Sequence, residues 1–530
     1  MRAAASALRI AGAVLLVAAL TSCRDGGDRP SAGIKEGGQV RLGLAGPVQP
    51  DPGLANLASP SDLMVLDLLH DGLVRLDARG KALPAVAEGW SADPTFATWT
   101  FRISPDATFA SGRPINADDV VASLEHVATG GDASLAALRL ESILGFRAFV
   151  DGGSEHLEGL TAPTTRSVQI ALDRPLTTLP VILASPQYGI VDVDSLTAAT
   201  AAGGDLTALD LSGAWTIGSA SPDAVRLDRR EDYPGHLDRV VLRIFATPDD
   251  AYGAFERGTA DWALVPVGRY GDATDAYGTD AFRSFHAELF FGLRVTSPTL
   301  SNPDLRRAIA LAIDRDAIVR AVYPDVAEPL ARVVPDGIPG RDPDLCGDCE
   351  YKVDPDGAKA LLSSAFPDGQ IPTVAVDFDE STAQDAMARI VASDLESVGI
   401  PTDLRPKPLD AYKAFVVSGA QELFSFGWIA GYASPDAYLA PLFGSTASDN
   451  LTGYTSAPVD AALAAARSSA DRGAQARRWA EVERLVLADS VVVPIAQFRT
   501  QAVLAARVEG FEHAIDGSVD WSAVWVTDGS

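Results

Sequence analysis

Cys346 and Cys349 are close enough in sequence to do chemistry together. Thiols at Cys-x-x-Cys spacing form a disulfide, supply half of a zinc site, or exchange electrons as a redox pair. A zinc site needs two further ligands, and the sequence contains neither a second Cys-x-x-Cys nor a neighbouring His. A redox pair needs a helix N-terminus, whereas Pro343 and Gly347 indicate a loop. We therefore expect a small structural disulfide, which suits an oxidising compartment.

Motifs for catalysis are missing from the rest of the sequence. It contains no Gly-x-Ser-x-Gly, no His-Glu-x-x-His and no Gly-x-x-x-x-Gly-Lys. The stretch that begins at Asp342 fails the calcium-loop pattern, because its fifth and twelfth positions are Cys346 and Val353. The six His residues are scattered. The sequence thus predicts no enzyme, no cofactor and no metal site; a hydrolase with a dispersed triad is the alternative that motifs leave open.

Length and charge restrict the class of protein further. A chain of 530 residues exceeds what one hydrophobic core usually supports, so we expect two or three lobes. The chain carries 43 Lys and Arg against 71 Asp and Glu, a formal net charge of −28. A surface this acidic repels phosphate backbones, which argues against a nucleic-acid partner.

The N-terminus indicates where the protein works. Arg2 and Arg9 precede an apolar run, Ile10 to Leu20, which has the length of a signal-peptide core and is too short for a spanning helix. The run ends in Leu-Thr-Ser-Cys23, which resembles the lipobox of bacterial lipoproteins. That resemblance implies a signal peptide over residues 1–22 and lipidation of Cys23. A plain secretory signal with an incidental Cys is the alternative.

Residues 23–39 are nearly all polar, Gly or Pro. Such a segment buries too little apolar surface to fold, so we expect a flexible tether. The protein would then sit on the extracytoplasmic face of the cell membrane.

Short strands and helices alternate along the rest of the chain, which predicts a mixed α/β fold. Period-two patterns predict strands, and capping residues predict helix starts, as at Asn302 with Pro303 and at Asp314. One long amphipathic helix is expected over 458–488. The expected strands cover 39–44, 72–76, 98–103, 168–172 and 240–245, and the expected helices cover 117–127, 303–313, 315–323 and 383–398.

Several motifs, in a fixed order, resemble family 5 extracellular solute-binding proteins, the peptide- and nickel-type receptors of ABC importers. Together they cover nearly all of residues 40–510. They are Asp71–Trp90, Trp99–Ile103, Ser111–Val121, Leu211–Ile217, Asp304–Ile318, Tyr351–Leu362, Asp394–Ile400 and Asn450–Tyr454.

This resemblance implies a fold and its parts. The fold would be the two-lobed α/β periplasmic-binding-protein type II fold, with an extra domain inserted in the first lobe. Solute would be enclosed as a hinge closes the lobes. The expected bounds are 40–58, 186–284 and 494–530 for lobe I, 59–185 for the inserted domain, and 285–493 for lobe II.

The run Phe424–Leu439 resembles the cleft segment of that family, and we call it the cleft segment. By resemblance, Trp428 and Tyr432 would flank a bound chain. Peptide receptors of the family have an Asp that pairs with the ligand's α-ammonium; Gly431 stands at its expected position. Ser434 replaces an acidic residue common before the Pro, and Asp436 lies nearby. These five residues are the expected substrate-binding residues.

The expected function is a receptor for peptides or peptide-like solutes that acts as a monomer with an ABC permease. Two alternatives stay open, and Gly431 favours both. The cargo could be a non-peptide, such as an oligosaccharide or a siderophore-like compound, or the fold could serve regulation in the cell envelope. Scarce His disfavours nickel.

Overall fold

The computed structural model describes residues 33–55, 59–77, 79–131, 134–278, 282–341, 352–514 and 517–527. We refer to these as the described residues. The signal peptide expected over 1–22, the lipidation site Cys23 and the disulfide between Cys346 and Cys349 lie outside them, so these three remain predictions.

The strands fall into two groups along the chain. Those of the first half are β1 (Gln39–Ala45), β2 (Val74–Leu76), β3 (Ala82–Pro84), β4 (Ala87–Ala92), β5 (Thr98–Ile103), β6 (Leu160–Thr164), β7 (Ser167–Ala171), β8 (Trp215–Ser221), β9 (Ala224–Arg229), β10 (Arg239–Phe245) and β11 (Trp262–Leu264). Those of the second half are β12 (Phe282–Leu293), β13 (Ala327–Pro329), β14 (Val374–Asp379), β15 (Thr402–Lys407), β16 (Leu423–Ile429), β17 (Val492–Leu504), β18 (Val508–Glu509) and β19 (Trp525–Val526).

Helices lie between these strands, which confirms the mixed α/β class. In the first half they are α1 (Pro60–Leu69), α2 (Ala117–Ala128), α3 (Leu135–Leu138), α4 (Phe146–Val150), α5 (Leu179–Ile182), α6 (Val193–Ala201), α7 (Pro248–Glu256) and α8 (Tyr270–Tyr277). In the second half they are α9 (Pro303–Ala312), α10 (Arg315–Val322), α11 (Pro355–Ala365), α12 (Thr382–Ser397), α13 (Leu409–Ser418), α14 (Asp436–Phe443), α15 (Ala457–Arg467) and α16 (Arg472–Ala488).

One long mixed sheet runs through the molecule in the order β15-β14-β16-β12-β17-β11-β1-β10-β9-β8. At one end, β1 lies parallel to β10 and β11; at the other, β14 lies parallel to β15 and β16. The antiparallel strands β12 and β17 join the two ends. Their pairing shifts register between Ser284 and Glu288 and again between Leu289 and Phe290. The two ends of the sheet are therefore connected by a pair of long, irregular strands.

A second, antiparallel sheet has the order β4-β5-β7-β6 and lies within the range 59–185, where the sequence predicts the inserted domain. Strand β5 alternates as its sequence predicts, with Trp99, Phe101 and Ile103 buried. Helix α2 covers this region and begins with a capping box. The Asn116 side chain accepts the backbone N–H of Asp119, and the Asp119 side chain accepts the backbone N–H of Asn116. The short helix α3 contacts α2 and is followed by Arg139, a residue of the site described below.

Local signals predict several helix starts correctly. The Asn302 side chain accepts from the backbone N–H groups of Asp304 and Leu305 at the start of α9. Asp314 caps α10 by accepting from the N–H of Ala317. Both caps satisfy amides that have no partner within the helix.

The single helix expected over 458–488 is wrong, because the structure contains two helices there. Helix α15 ends at Arg467, and α16 begins after Asp471, whose side chain accepts the N–H of Ala474. The apolar stripe continues on both sides of the break, through Leu463 and Trp479. The apolar pattern of the sequence is therefore continuous, although the chain forms two helices that fold back on each other.

The ordered body also begins earlier than the tether expected over 23–39 allows. The Gly37 N–H donates to the His236 carbonyl over 2.7 Å, and the Gly38 N–H donates to Asp238 over 3.1 Å. Gln39 is already the first residue of β1. Backbone hydrogen bonds thus hold residues that composition alone assigns to a tether. Among the described residues, no helix combines the length and apolar character of a membrane span.

Candidate functional site

Strand β16 and the loop after it carry the cleft segment. Trp428 stands on β16 directly opposite Glu288 of β12. The chain then leaves the sheet through Gly431, Tyr432 and Ser434 and enters α14 at Asp436. A strand end followed by a helix start is a common position for binding residues, since a rigid scaffold fixes the loop between them.

Trp428 is held on both sides and is only half-buried. Its indole Nε1 donates to the carbonyl of Ala437 over 2.9 Å. The guanidinium of Arg139, which follows α3, lies over the ring with 5.0 Å between Cζ and the ring centroid. This is a cation–π arrangement between two parts of the chain far apart in sequence.

Tyr432, Asp436 and Arg467 form a buried network. Tyr432 donates from its hydroxyl to Oδ2 of Asp436 over 2.8 Å, and Arg467 donates from Nε to Oδ1 over 2.7 Å. Burial and then the Asp436 charge raise the pKa of Tyr432 well above its usual range. Burial opposes the charge of Arg467, but Asp436 raises the Arg467 pKa. Both Asp436 oxygens are thus engaged within the protein, and its contact with solute stays a prediction.

Ser434 is buried and belongs to the same turn, since its Oγ accepts the Asp436 N–H over 3.3 Å. Gly431 is defined by a close approach. A Cβ built at Gly431 would lie 2.6 Å from Nε of Arg139. Only a residue without a side chain leaves the Arg139 side chain in its present place. The position where the sequence comparison expects an acid is therefore covered by a cation.

Arg139 itself has few partners. Its Nη2 donates to the Ile429 carbonyl over 3.3 Å, and its Nε is buried without a hydrogen-bond partner. Across the described ranges, no carboxylate lies within 4.0 Å of its nitrogens. Burial raises the pKa of Asp449, and the Arg139 charge offsets part of this effect. Arg139 is consequently an incompletely satisfied cation.

A cavity of about 790 Å³ lies between the region around α3 and the helices α14 and α15. A volume of this size lies within the usual range for small-molecule sites. Its wall includes Arg139, Tyr432 and Asp436, together with residues from both sides of the cavity. These are Leu138, Glu141, Ser142, Arg147, Asp173, Arg174, Pro175, Leu176, Ile182, Ala440, Pro441, Gly444, Ser445, Thr446, Ala447, Ser448, Asp460, Leu463, Ala464, Ala465, Arg467 and Ser468.

Another cavity, of about 980 Å³, lies beside the end of β1 and contains no residue of the cleft segment. It is lined by residues such as Gly46, Leu54 and Phe245. We assign the candidate site to the smaller cavity because Tyr432 and Asp436 of the cleft segment line it. Residues from the range 138–182, which is far from that segment in sequence, line it as well.

Glu288 is a second residue that sequence reasoning missed. Its carboxyl is 1 % exposed, and burial raises its pKa well above the usual value, with the Tyr438 hydroxyl offsetting part of this effect. Gln497 on β17 stands on its other side, also buried. A single acid in the apolar run of β12 was a signal for a buried carboxyl. Arg139 offered no such signal, because its contact with Gly431 is visible only in three dimensions.

Within the described ranges, His, Cys, Asp and Glu nowhere form a group of three that could hold a metal ion. The cavity wall combines the ring of Tyr432 with arginines, carboxylates and apolar side chains, a mixture that suits non-covalent binding.

Known proteins with similar sequences bind small solutes. The chain is 22 % identical over 481 residues to the dipeptide-binding protein DppE of Bacillus subtilis, covering 86 % of each chain. It is 22 % identical over 466 residues to heme-binding protein A of Haemophilus influenzae, covering 81 % of each chain.

Solved structures show the same architecture. The unliganded open form of the periplasmic murein tripeptide binding protein MppA matches with a TM-score of 0.81 at 20 % identity, covering 94 % of this chain and 99 % of that chain. The fold is thus the two-lobed periplasmic-binding-protein type II fold. The family model described as "Bacterial extracellular solute-binding proteins, family 5 Middle" matches residues 81–450. This chain belongs to the family 5 bacterial extracellular solute-binding proteins.

Proposed function

We propose that this protein captures peptides or peptide-like solutes outside the cytoplasm and delivers them to an ABC permease. The observation that carries the proposal is the cavity of about 790 Å³ at the cleft segment. Tyr432 of the cleft segment lines it together with polar groups from another part of the chain, and Trp428 lies against Arg139, which is also in its wall. An aromatic side chain can flank an extended chain while polar groups fix its orientation. No step of covalent chemistry is required.

We further propose that the solute is enclosed by a hinge at β12 and β17. These strands connect lobe I, expected over 40–58, 186–284 and 494–530, with lobe II, expected over 285–493. A permease that binds the closed form better would read occupancy through shape, because a ligand shifts an equilibrium by its differential affinity. The protein would act as a monomer.

The cargo is tested by native mass spectrometry and by thermal shift with matched peptide and sugar libraries. We expect a copurified small molecule and a rise in Tm with a subset of the peptides. A folded protein that carries no ligand and ignores both libraries would contradict a receptor function. A response to sugars alone would select the non-peptide alternative, which Gly431 favours because it leaves a peptide ammonium without its carboxylate.

The anchor is tested separately from the cargo. We propose that lipidated Cys23 holds the protein on the extracytoplasmic face of the cell membrane, with the first part of 23–39 as tether. Cys23→Ala should move the protein from the membrane fraction to the medium or periplasm. Cys346→Ala is the matched control and should leave fractionation unchanged. Membrane retention of the Cys23→Ala protein would refute lipid anchoring without affecting the binding proposal.

A further inference from the structure

The cation at the cleft segment comes from the inserted-domain region rather than from the segment itself. Arg139 follows α3 and reaches Trp428 and Gly431, which lie at the end of β16. Its contact with the Ile429 carbonyl, over 3.3 Å, is a long hydrogen bond to a neutral acceptor. A guanidinium has five N–H donors, so this contact leaves most of its capacity unused.

Two of the other arginines on the cavity wall are already paired with carboxylates. Arg174 donates to Glu141 over 3.0 Å, and Arg467 donates to Asp436 over 2.7 Å. Glu141 and Asp436 are therefore engaged by other cations, whereas Arg139 has no carboxylate within 4.0 Å among the described residues. Arg139 therefore keeps donors for an anion that enters the cavity, although the Asp460 carboxylate, which accepts the Ser445 N–H, also lines the wall.

We infer that Arg139, which lines the cavity and contacts Trp428 and Gly431, recognises a carboxylate of the bound solute. This inference rests on the proposed function and specifies its ligand: a peptide-like solute with an anionic group at the end that faces Arg139. A carboxylate there would accept charge-assisted hydrogen bonds from a planar guanidinium. Gly431 takes part by its size, because a Cβ at that position would lie 2.6 Å from Nε.

A set of three peptides tests the charge that Arg139 reads. The probes are trialanine with a free amino end, with an N-acetyl group and with an N-succinyl group, which adds one carboxylate. Titration calorimetry with the full mature chain should show an affinity for the succinyl peptide about tenfold above that for the acetyl peptide. The reason is that one hydrogen bond between charged groups changes a binding constant by about a factor of ten.

Two variants connect that preference to Arg139. Arg139→Gln should remove the difference between succinyl and acetyl peptides. Gly431→Asp should also remove it, because the new carboxylate would neutralise Arg139. Arg174→Gln is the matched control: it removes one positive charge from the same cavity, but from a group already paired with Glu141. It should keep the preference.

The possible outcomes separate this inference from the function on which it rests. A free-amine peptide that binds as tightly as the succinyl peptide, unaffected by Arg139→Gln, would overturn the inference and leave the receptor intact. Failure of all three peptides with folded wild-type protein would overturn both. Equal affinities that diverge only in Asp449→Asn would show that Asp449 neutralises Arg139, which also overturns the inference.

Discussion

Glu288 and Trp428 stand directly opposite each other on the antiparallel strands β12 and β16. Residues paired in this way project from the same face of the sheet, so the buried carboxyl of Glu288 lies beside the Trp428 side chain. Burial raises the Glu288 pKa well above its usual 4.5. The residue opposite Trp428 is therefore a carboxyl group that is more readily protonated in the folded protein than in the unfolded chain.

Glu288→Gln should make stability less dependent on pH. Because the folded pKa is raised, folding binds a proton between the unfolded value of about 4.5 and the folded pKa. Wild-type stability should thus fall as pH rises from about 4.5 toward the folded pKa, and Gln, which does not ionise, removes this fall. Chemical denaturation from pH 4 to 8 should show the variant gaining on wild type as pH rises. A constant difference at all pH values would contradict the shift.

Asp261→Asn should have the opposite pH dependence. Asp261 is 1 % exposed and accepts from both Arg41 and Arg507. Burial opposes its charge, but these hydrogen bonds prevail and hold its pKa below the usual 3.8. Its contribution is therefore present above about pH 4 and is lost as pH falls through the lowered value. We expect Asn to cost roughly 3 kcal/mol at pH 7 and less at pH 2–3.

An exposed pair provides the control for Asp261. Asp228, which pairs with Arg226 and Arg239, is partly exposed. Asp228→Asn should change the free energy of unfolding by less than about 1 kcal/mol. An Asp261→Asn variant as stable as this control would show that the two arginines do not stabilise the buried carboxylate.

Asp436→Asn should destabilise the wall of the candidate site. The substitution leaves the Arg467 guanidinium without its anionic partner in a largely buried environment. Breaking one side of such a pair costs roughly 3 kcal/mol. Guanidinium denaturation measures the loss, and Asp385→Asn, which breaks an exposed pair with Arg389 on α12, is the control. Equal stability of the two variants would contradict a structural role for Asp436.

Trp428 should report solute binding by fluorescence. Trp428→Ala removes the ring beneath Arg139 and the hydrogen bond to the Ala437 carbonyl. Affinity for a peptide that stabilises wild type should fall about tenfold, as is common when an aromatic side chain is removed from a binding site. Trp479→Phe, in the core stripe of α16, is the control and should keep both affinity and the ligand-induced change in emission. Wild-type affinity in folded Trp428→Ala would assign this residue to packing alone.

The sequence predicts best what neighbours along the chain decide. Asn302 and Asp314 cap helices with their own following amides, so their roles are readable from spacing. The break between α15 and α16 was missed because both helices bury the same kind of apolar residue, while a single cap at Asp471 separates them. A periodic stripe cannot distinguish one long helix from two that fold back on each other.

The candidate site was only partly readable for a related reason. Resemblance predicts a role for Trp428 and Tyr432 and a missing acid at Gly431, and these roles stay predictions. It did not identify Arg139, because that contact joins residues far apart in the chain. Burial of Asp436 against Arg467 likewise depends on how α14 meets α15. Tertiary contacts, rather than local propensity, decide which charges a solute would meet.

The two ends of the chain share one core, and this has a consequence for the order of events in folding. Val40 of β1 packs in the same cluster as Val524 and Val526. Strand β11, which lies beside β1, pairs with the last three residues of β17. A core built from both ends cannot form until nearly all of the chain is available, because long loops must close before their contacts contribute. The segment that contains α9 to α16 is continuous in sequence, and its buried residues belong largely to another cluster. Strand β1 can pair with β10 and β11 earlier, but its cluster stays incomplete until Val524 and Val526 are present.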